Sequence, residues 1–326
     1  MAEADIAVDL FNPGQVFACL GFLEAADVLL GDAQGGFDWR DEMEVKFRLR
    51  AQGDENPVEA VLAFLAEADP KRFGPVGYAD SPPKKSKNAA DDADYIHHDD
   101  EDDPDTRTSG ASIELTETFL AGKADRMALP ISFGGGNRPR VELGHWADGS
   151  SRESFKLYSG NRSADKIARA MLKGTRTKPS ESQNKNRQPG DLKTKGIARL
   201  WEEERARLIE QPFHVLTPMG GSFNFDPRGA WTAIDAGYSP NEHKHAVEAS
   251  PVVEFLAAWG LEHARPEVSN DRQVRYAAWE MLLPPILARA ALTGAVPSLP
   301  MKRFRFMLHS SGKNKIVTFA QEETHR

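Results

Sequence analysis

The chain has 326 residues, with 41 Lys and Arg against 49 Asp and Glu, for a formal net charge of −8. Its 40% hydrophobic and 28% charged content is that of a folded globular protein, and its length suffices for a full hydrophobic core. No apolar run reaches the roughly 20 residues that cross a bilayer, and the single Cys19 excludes an internal disulfide or a cysteine-based zinc site.

The opening Met1-Ala2-Glu3-Ala4-Asp5 is acidic where a leader peptide is basic, so the expected location is the cytoplasm. Residues 1–79 read as an N-terminal α+β segment. Asn12-Pro13 is a cap followed by proline at the first helical position, and Val16, Leu20, Leu23 and Leu30 recur near helical spacing before Gly31. Cys19 sits among Phe17, Ala18 and Leu20, the setting of a buried thiol. Residues 44–50 alternate, with Val45, Phe47 and Leu49 on one strand face and Lys46, Arg48 and Arg50 on the other. Asn56-Pro57 repeats the cap signal, and Val58, Val61, Leu62 and Leu65 supply the stripe of a second helix.

Residues 80–112 read as an acidic, disordered linker or loop, because large apolar residues nearly vanish there and nine acids fall between Asp91 and Asp105. Residues 113–212 read as a basic α+β segment. Strand-like pieces at 113–118, 127–133 and 140–146 are separated by turns, among them Gly134-Gly135-Gly136-Asn137. A helix over 164–173 has Ser163 as its cap and Gly174 beyond its end. Another, over 195–210, turns Ile197, Leu200, Trp201 and Leu208 inward.

Residues 213–326 read as a helical segment ending in a β-hairpin. Ser250-Pro251 starts a helix that runs to Gly260, and Pro284-Pro285 starts the next, through Ile286, Leu287 and Leu292. In the closing hairpin Phe304, Phe306 and Leu308 share one face, and Arg303 and Arg305 the other. The fold class expected is α+β, in two lobes of mixed antiparallel strands and packed helices.

No P-loop, G-x-S-x-G elbow or H-E-x-x-H is present, and no cofactor is expected. His97-His98-Asp99-Asp100 has the residue types of a metal-dependent nuclease, but it lies inside the acidic segment; His243-Lys244-His245 is a weaker cluster of the same kind. Charge is more informative. From 123 to 199 there are 17 Lys and Arg against 7 Asp and Glu, so this stretch is locally basic in an acidic chain. Phosphates need cations and unpaired bases need planar faces. Arg138, Arg140, Arg152, Lys156, Arg162, Lys166 and Arg169 interleave here with Phe133, Trp146, Phe155 and Tyr158, several of which read as core, Trp146 most of all. These cations outnumber the carboxylates nearby in sequence. Asn137 and Asn161 add amides able to pair with base edges, and Arg303, Arg305, Lys313 and Lys315 give the terminal hairpin a second cationic face.

Three stretches resemble the short large-subunit proteins of type I-G (formerly I-U) CRISPR effector, or Cascade, complexes. They are Asn12-Pro13-Gly14-Gln15-Val16-Phe17-Ala18-Cys19-Leu20-Gly21, then Gly144-His145-Trp146-Ala147-Asp148-Gly149 through Ser154-Phe155-Lys156-Leu157-Tyr158-Ser159-Gly160-Asn161-Arg162-Ser163, and Phe225-Asp226-Pro227-Arg228-Gly229-Ala230-Trp231 through Asp235-Ala236-Gly237-Tyr238-Ser239-Pro240 with the closing Gly312-Lys313-Asn314-Lys315-Ile316-Val317. The resemblance implies a non-catalytic subunit that joins a guide-RNA complex with its backbone and guide-processing subunits. Such a subunit contacts double-stranded target DNA at the protospacer-adjacent motif and helps recruit a separate helicase-nuclease. The rivals from other classes are the metal-dependent nuclease and a purely structural adaptor between subunits.

Overall fold

The computed structural model describes residues 1–72, 129–147, 155–158, 162–176, 192–219, 221–229, 247–266, 268–269, 271–296, 298–311 and 314–323. The acidic stretch, its flanking boundaries at 79/80 and 112/113, and the strand expected at 113–118 lie outside them.

The elements run β1 (Ala2–Ala7), α1 (Pro13–Leu30), β2 (Gln34–Asp38), β3 (Lys46–Ala51), α2 (Pro57–Glu67), β4 (Lys71–Arg72), β5 (Ile131–Gly135), β6 (Arg138–Leu143), α3 (Ala164–Lys173), β7 (Thr175–Arg176), β8 (Leu192–Thr194), α4 (Ile197–Glu210), β9 (Thr217–Pro218), β10 (Glu248–Ala249), α5 (Pro251–Gly260), β11 (Gln273–Trp279), α6 (Pro285–Leu292), β12 (Met301–Ser311), β13 (Asn314–Val317) and β14 (Gln321–Glu322). All strand pairs are antiparallel, in several small sheets, so the fold is mixed α+β. Two sheets matter most here: β1-β3-β2 near the N-terminus, and β11-β12-β13 with β14 also on β12.

Local signals set the helix starts. The Asn12 side chain accepts a hydrogen bond from the Gln15 amide, Asn56 accepts from Val58 and Glu59, and Ser250 accepts from Val253, so each satisfies donors that the first helical turn leaves open. Pro13, Pro57, Pro251 and Pro285 stand at first-turn positions that need no N–H partner. The helices predicted to begin at these signals form. In α4, Trp201 is only half-buried, beneath Arg205 whose guanidinium carbon lies 4.3 Å from the ring centre. In α6 the apolar face is split: Pro285, Ala288, Ala291 and Leu292 are buried, whereas Ile286 and Leu287 face outward.

The buried side chains form one contiguous cluster that draws on every part of the described chain. At its centre α1 packs most extensively on α5. Residues Pro13 to Ala26 of α1 are buried all round, as a helix enclosed by its own protein requires. Among the described helices α1 is the one long and apolar enough to cross a membrane, and 78% of it is buried inside the fold. Burial also pushes the Cys19 thiol well up from its ordinary value.

The backbones of α1 and α5 meet at glycines. A Cβ on Gly21 would stand 2.0 Å from the Leu256 carbonyl oxygen, and one on Gly260 would stand 2.2 Å from that of Phe17. Any larger residue pushes the two central helices apart. Gly21→Ala and Gly260→Ala are each expected to lose about 1–3 kcal/mol of stability or more. Urea unfolding of the purified variants measures this; wild-type stability in both would show that the crossing tolerates a wider separation.

Candidate nucleic-acid interface

The terminal sheet is fixed from its inner face. Phe304, Phe306 and Leu308 of β12 are buried, as the alternation predicts, with Phe304 stacked on Tyr276 at 5.4 Å between ring centres and Phe306 6.2 Å from Phe17 of α1. Tyr276 donates its hydroxyl to the Leu10 carbonyl (2.6 Å), and Trp279 donates its indole N–H to that of Gly35 (2.8 Å). Each buried ring contributes about 1.5–3 kcal/mol, and together they hold β11 and β12 in one orientation. The period of two then leaves Arg303, Arg305, Met307 and His309 on the outer face.

On that face the registered neighbours are Arg275 opposite Arg305, Gln273 opposite Met307, and Gln321 on the other side of Arg305. Arg275 is engaged by Glu323, Nε to Oε1 at 2.9 Å. Arg303 and Arg305 form no ion pair with any described residue. Lys315 of β13 is half-buried opposite Ser310, with its amide bonded to the Leu157 carbonyl (2.8 Å). Between β13 and β14 the pairing on β12 is interrupted, and the Thr318 hydroxyl bridges the gap by donating to the Met307 carbonyl (3.0 Å). An open groove of about 580 Å³ lies there, lined by Pro227, Gln273, Arg305, Met307, His309, Thr318, Phe319 and Gln321 among others.

The middle segment is placed differently from what its local charge suggests. Arg138 pairs with Glu67 (3.2 Å), Arg140 with Glu142 (3.1 Å) and Arg169 with Asp69 (3.2 Å). The carboxylates of Glu67 and Asp69 come from the end of α2 and just beyond it, across the acidic stretch in sequence, which a count over 123–199 omits. Arg162 and Lys166 are exposed without an ion pair among the described residues, and the Lys156 ammonium lies 5.2 Å from the Tyr158 ring centre. Asn137 is exposed at the β5–β6 turn, where Gly134, Gly135 and Gly136 all take positive φ. Arg152, Asn161, Lys313, the cluster His97, His98, Asp99 and Asp100, and the pair His243 and His245 lie outside the described residues. Several of the interleaved aromatics read as core in the sequence, and the structure buries all four: Phe133, Phe155 and Tyr158 are core side chains, as Trp146 is, so none offers a free ring to a base.

Beneath the groove lies a buried polar network that joins two of the stretches singled out in the sequence. Asp226 receives Arg228 through both Nε (2.9 Å) and Nη2 (2.6 Å), the Ser250 amide (3.1 Å), and the Asn12 side-chain amide (3.2 Å). Arg228 also donates to the Phe213 carbonyl (2.9 Å). The next residue after Asp226 is Pro227, a wall of the groove, so this network sets where that wall stands. The stretch that begins at Gly144 is fixed elsewhere: the amides of Gly144 and His145 both donate to Glu262 (2.8 and 3.0 Å).

Glu254 completes the network by accepting from the Asp226 amide (2.8 Å). Its carboxyl is pushed up to about 8. Burial is the largest cause; the Asp226 amide opposes it, the Asp226 charge adds to it, and the Phe223 and Phe225 amides oppose it. Asp226 thus carries the charge that Arg228 neutralises, while Glu254 keeps its proton at neutral pH.

The folded state holds a proton that the unfolded chain releases near 4.5. The contribution of Glu254 to stability is therefore full below about 4.5 and is lost as pH rises through about 8. Glu254→Gln should flatten this decline, ending more stable than wild type above pH 8 by something on the order of a few kcal/mol. Denaturant titrations of both proteins from pH 5 to 9 give the comparison; parallel curves would mean that the fold does not raise the Glu254 carboxyl above its unfolded value.

Compared with protein-family models, curated proteins and solved structures, the chain matches none.

Proposed function

We propose that this chain is a non-catalytic, nucleic-acid-binding subunit of a type I CRISPR guide-RNA effector complex, acting in the cytoplasm in antiviral defence. It binds double-stranded target DNA and its protospacer-adjacent motif beside the guide RNA, docks on the backbone and guide-processing subunits, and helps recruit the helicase-nuclease that cuts. The observation that carries this reading is the outer face of β12, where Arg303 and Arg305 stand without carboxylate partners among the described residues, beside an open groove. A cation that need not break an existing pair keeps its full attraction for a phosphate. Arg138, Arg140 and Arg169 form a second rank. Exposed pairs such as theirs are worth about 0–1 kcal/mol, so phosphates can displace the carboxylates at modest cost. The family resemblance supports the same assignment through three stretches, two of which converge on Asp226 and the other on Glu262.

The test uses the assembled complex and matched targets with and without the correct adjacent motif, across a salt series. Arg305→Ala and Arg303→Ala should weaken binding evenly over target sequences and lower the salt slope by about 0.9 for each phosphate that is no longer bound. Asn137→Ala should instead lose about 1–3 kcal/mol of discrimination between motifs. Unchanged affinity and slope in both arginine variants would overturn the assignment of this face.

A further inference from the structure

We propose that the groove between β11, β12 and the 318–321 segment is a pocket for one unpaired nucleobase, with Arg305 holding its phosphate. The proposal rests on reading the outer face of β12 as the nucleic-acid face and adds to it the state of the strand that binds there. Its first support is the pairing of apolar and polar groups around the opening. Phe319 is 52% exposed and Met307 36% exposed, both on the groove. A duplex offers phosphates and base edges to a protein and keeps its base faces stacked inside, so a phenyl ring cannot stack on them. An unpaired base presents a π face, and stacking on an aromatic side chain is how single strands are held irrespective of sequence.

The second support is that four polar side chains at the groove, those of Gln273, Arg305, His309 and Gln321, are unengaged among the described residues. The side-chain amides of Gln273 and Gln321 and the imidazole of His309 make no hydrogen bond to the described residues, and Arg305 makes no ion pair with them. An amide offers a donor and an acceptor side by side, which is what the hydrogen-bonding edge of a base requires. Gln321 and Arg305 are registered partners across β12 and β14, and Gln273 faces Met307, so base edge, ring face and phosphate contacts converge within neighbouring positions of one sheet.

The third support is size and the absence of a free strand edge. About 580 Å³ lies within the range of small-ligand clefts, roughly 300–1,000 Å³. A bound peptide strand is the less suitable occupant. β12 is flanked by β11 on one side and by β13 and β14 on the other, so it has no free edge over most of its length for backbone pairing.

The experiment compares the full chain binding a single-stranded oligonucleotide that carries 2-aminopurine with its binding to a blunt duplex of the same sequence. Anisotropy reads affinity, and fluorescence quenching reads stacking of the base. Phe319→Ala should weaken single-strand binding by about 5- to 100-fold and relieve the quenching, leaving duplex affinity unchanged. Phe319→Tyr should keep both, and Gln273→Ala should weaken the single strand alone. Arg305→Ala should weaken both ligands. Because the Phe319 ring is half exposed, its truncation spares the core. If wild type binds the duplex but not the single strand, or if Phe319→Ala and Gln273→Ala bind the single strand as wild type does while Arg305→Ala is impaired, the base pocket is overturned and the phosphate face stands. If Arg305→Ala changes neither ligand, the face itself is overturned and the pocket with it.

Discussion

The close crossing of α1 on α5, with the charged network at its mouth, is the constraint on which the described structure depends. Two helices can approach this nearly only where side chains are absent, and Gly21 and Gly260 supply those places. Such an approach also brings Asn12, at the start of α1, within hydrogen-bonding distance of Asp226, next to the start of α5. A carboxylate buried there is tolerable because Arg228 meets it with two N–H groups, and the second buried carboxyl, Glu254, stays neutral. Glu24 of α1 is handled in the same way, paired through both oxygens with Arg289 of α6 at 2.5 and 2.6 Å.

From this centre the geometry passes outward to the surface proposed for nucleic acid. Phe17 of α1 touches Tyr276 and Phe306, at 5.6 and 6.2 Å between ring centres, so the terminal sheet is oriented by the same helix that crosses α5. The inner face of β12 is taken up by that packing and the outer face is left with its cations. Pro227, one residue from Asp226, closes the groove from the other side. Packing and proposed binding surface are therefore two faces of one strand, and a change in the helix crossing is transmitted to both.

Much of this was legible in the sequence because the signals are local. Asn12-Pro13, Asn56-Pro57 and Ser250-Pro251 each announce a helix start through two consecutive residues, and the alternation from Arg303 to Leu308 assigns both faces of β12. What escaped was set by distance along the chain. Arg138 and Glu67 are 71 positions apart and only the fold makes them a pair, so the local charge count overstated how free that segment is. Several of the aromatics between those cations read as core from the sequence, but beyond Trp146 the sequence does not say which. The core claims Phe133, Phe155 and Tyr158 along with Trp146, since a large ring gains more from burial than from waiting at the surface. Extending the alternation of β12 by two more steps would have added Met307 and His309. Nothing local could have added Gln273 and Gln321, which join the groove only through strand pairing.

Whether the terminal sheet, ahead of the middle segment, faces nucleic acid is addressed residue by residue by arginine footprinting. The assembled complex is treated with phenylglyoxal with and without matched target DNA, and modification at each arginine is read by mass spectrometry. With the terminal sheet on the nucleic acid, target binding protects Arg303 and Arg305 more strongly than Arg138, Arg140 and Arg169. Protection at Arg138, Arg140 and Arg169 with Arg303 and Arg305 modified at their free rate would contradict that placement.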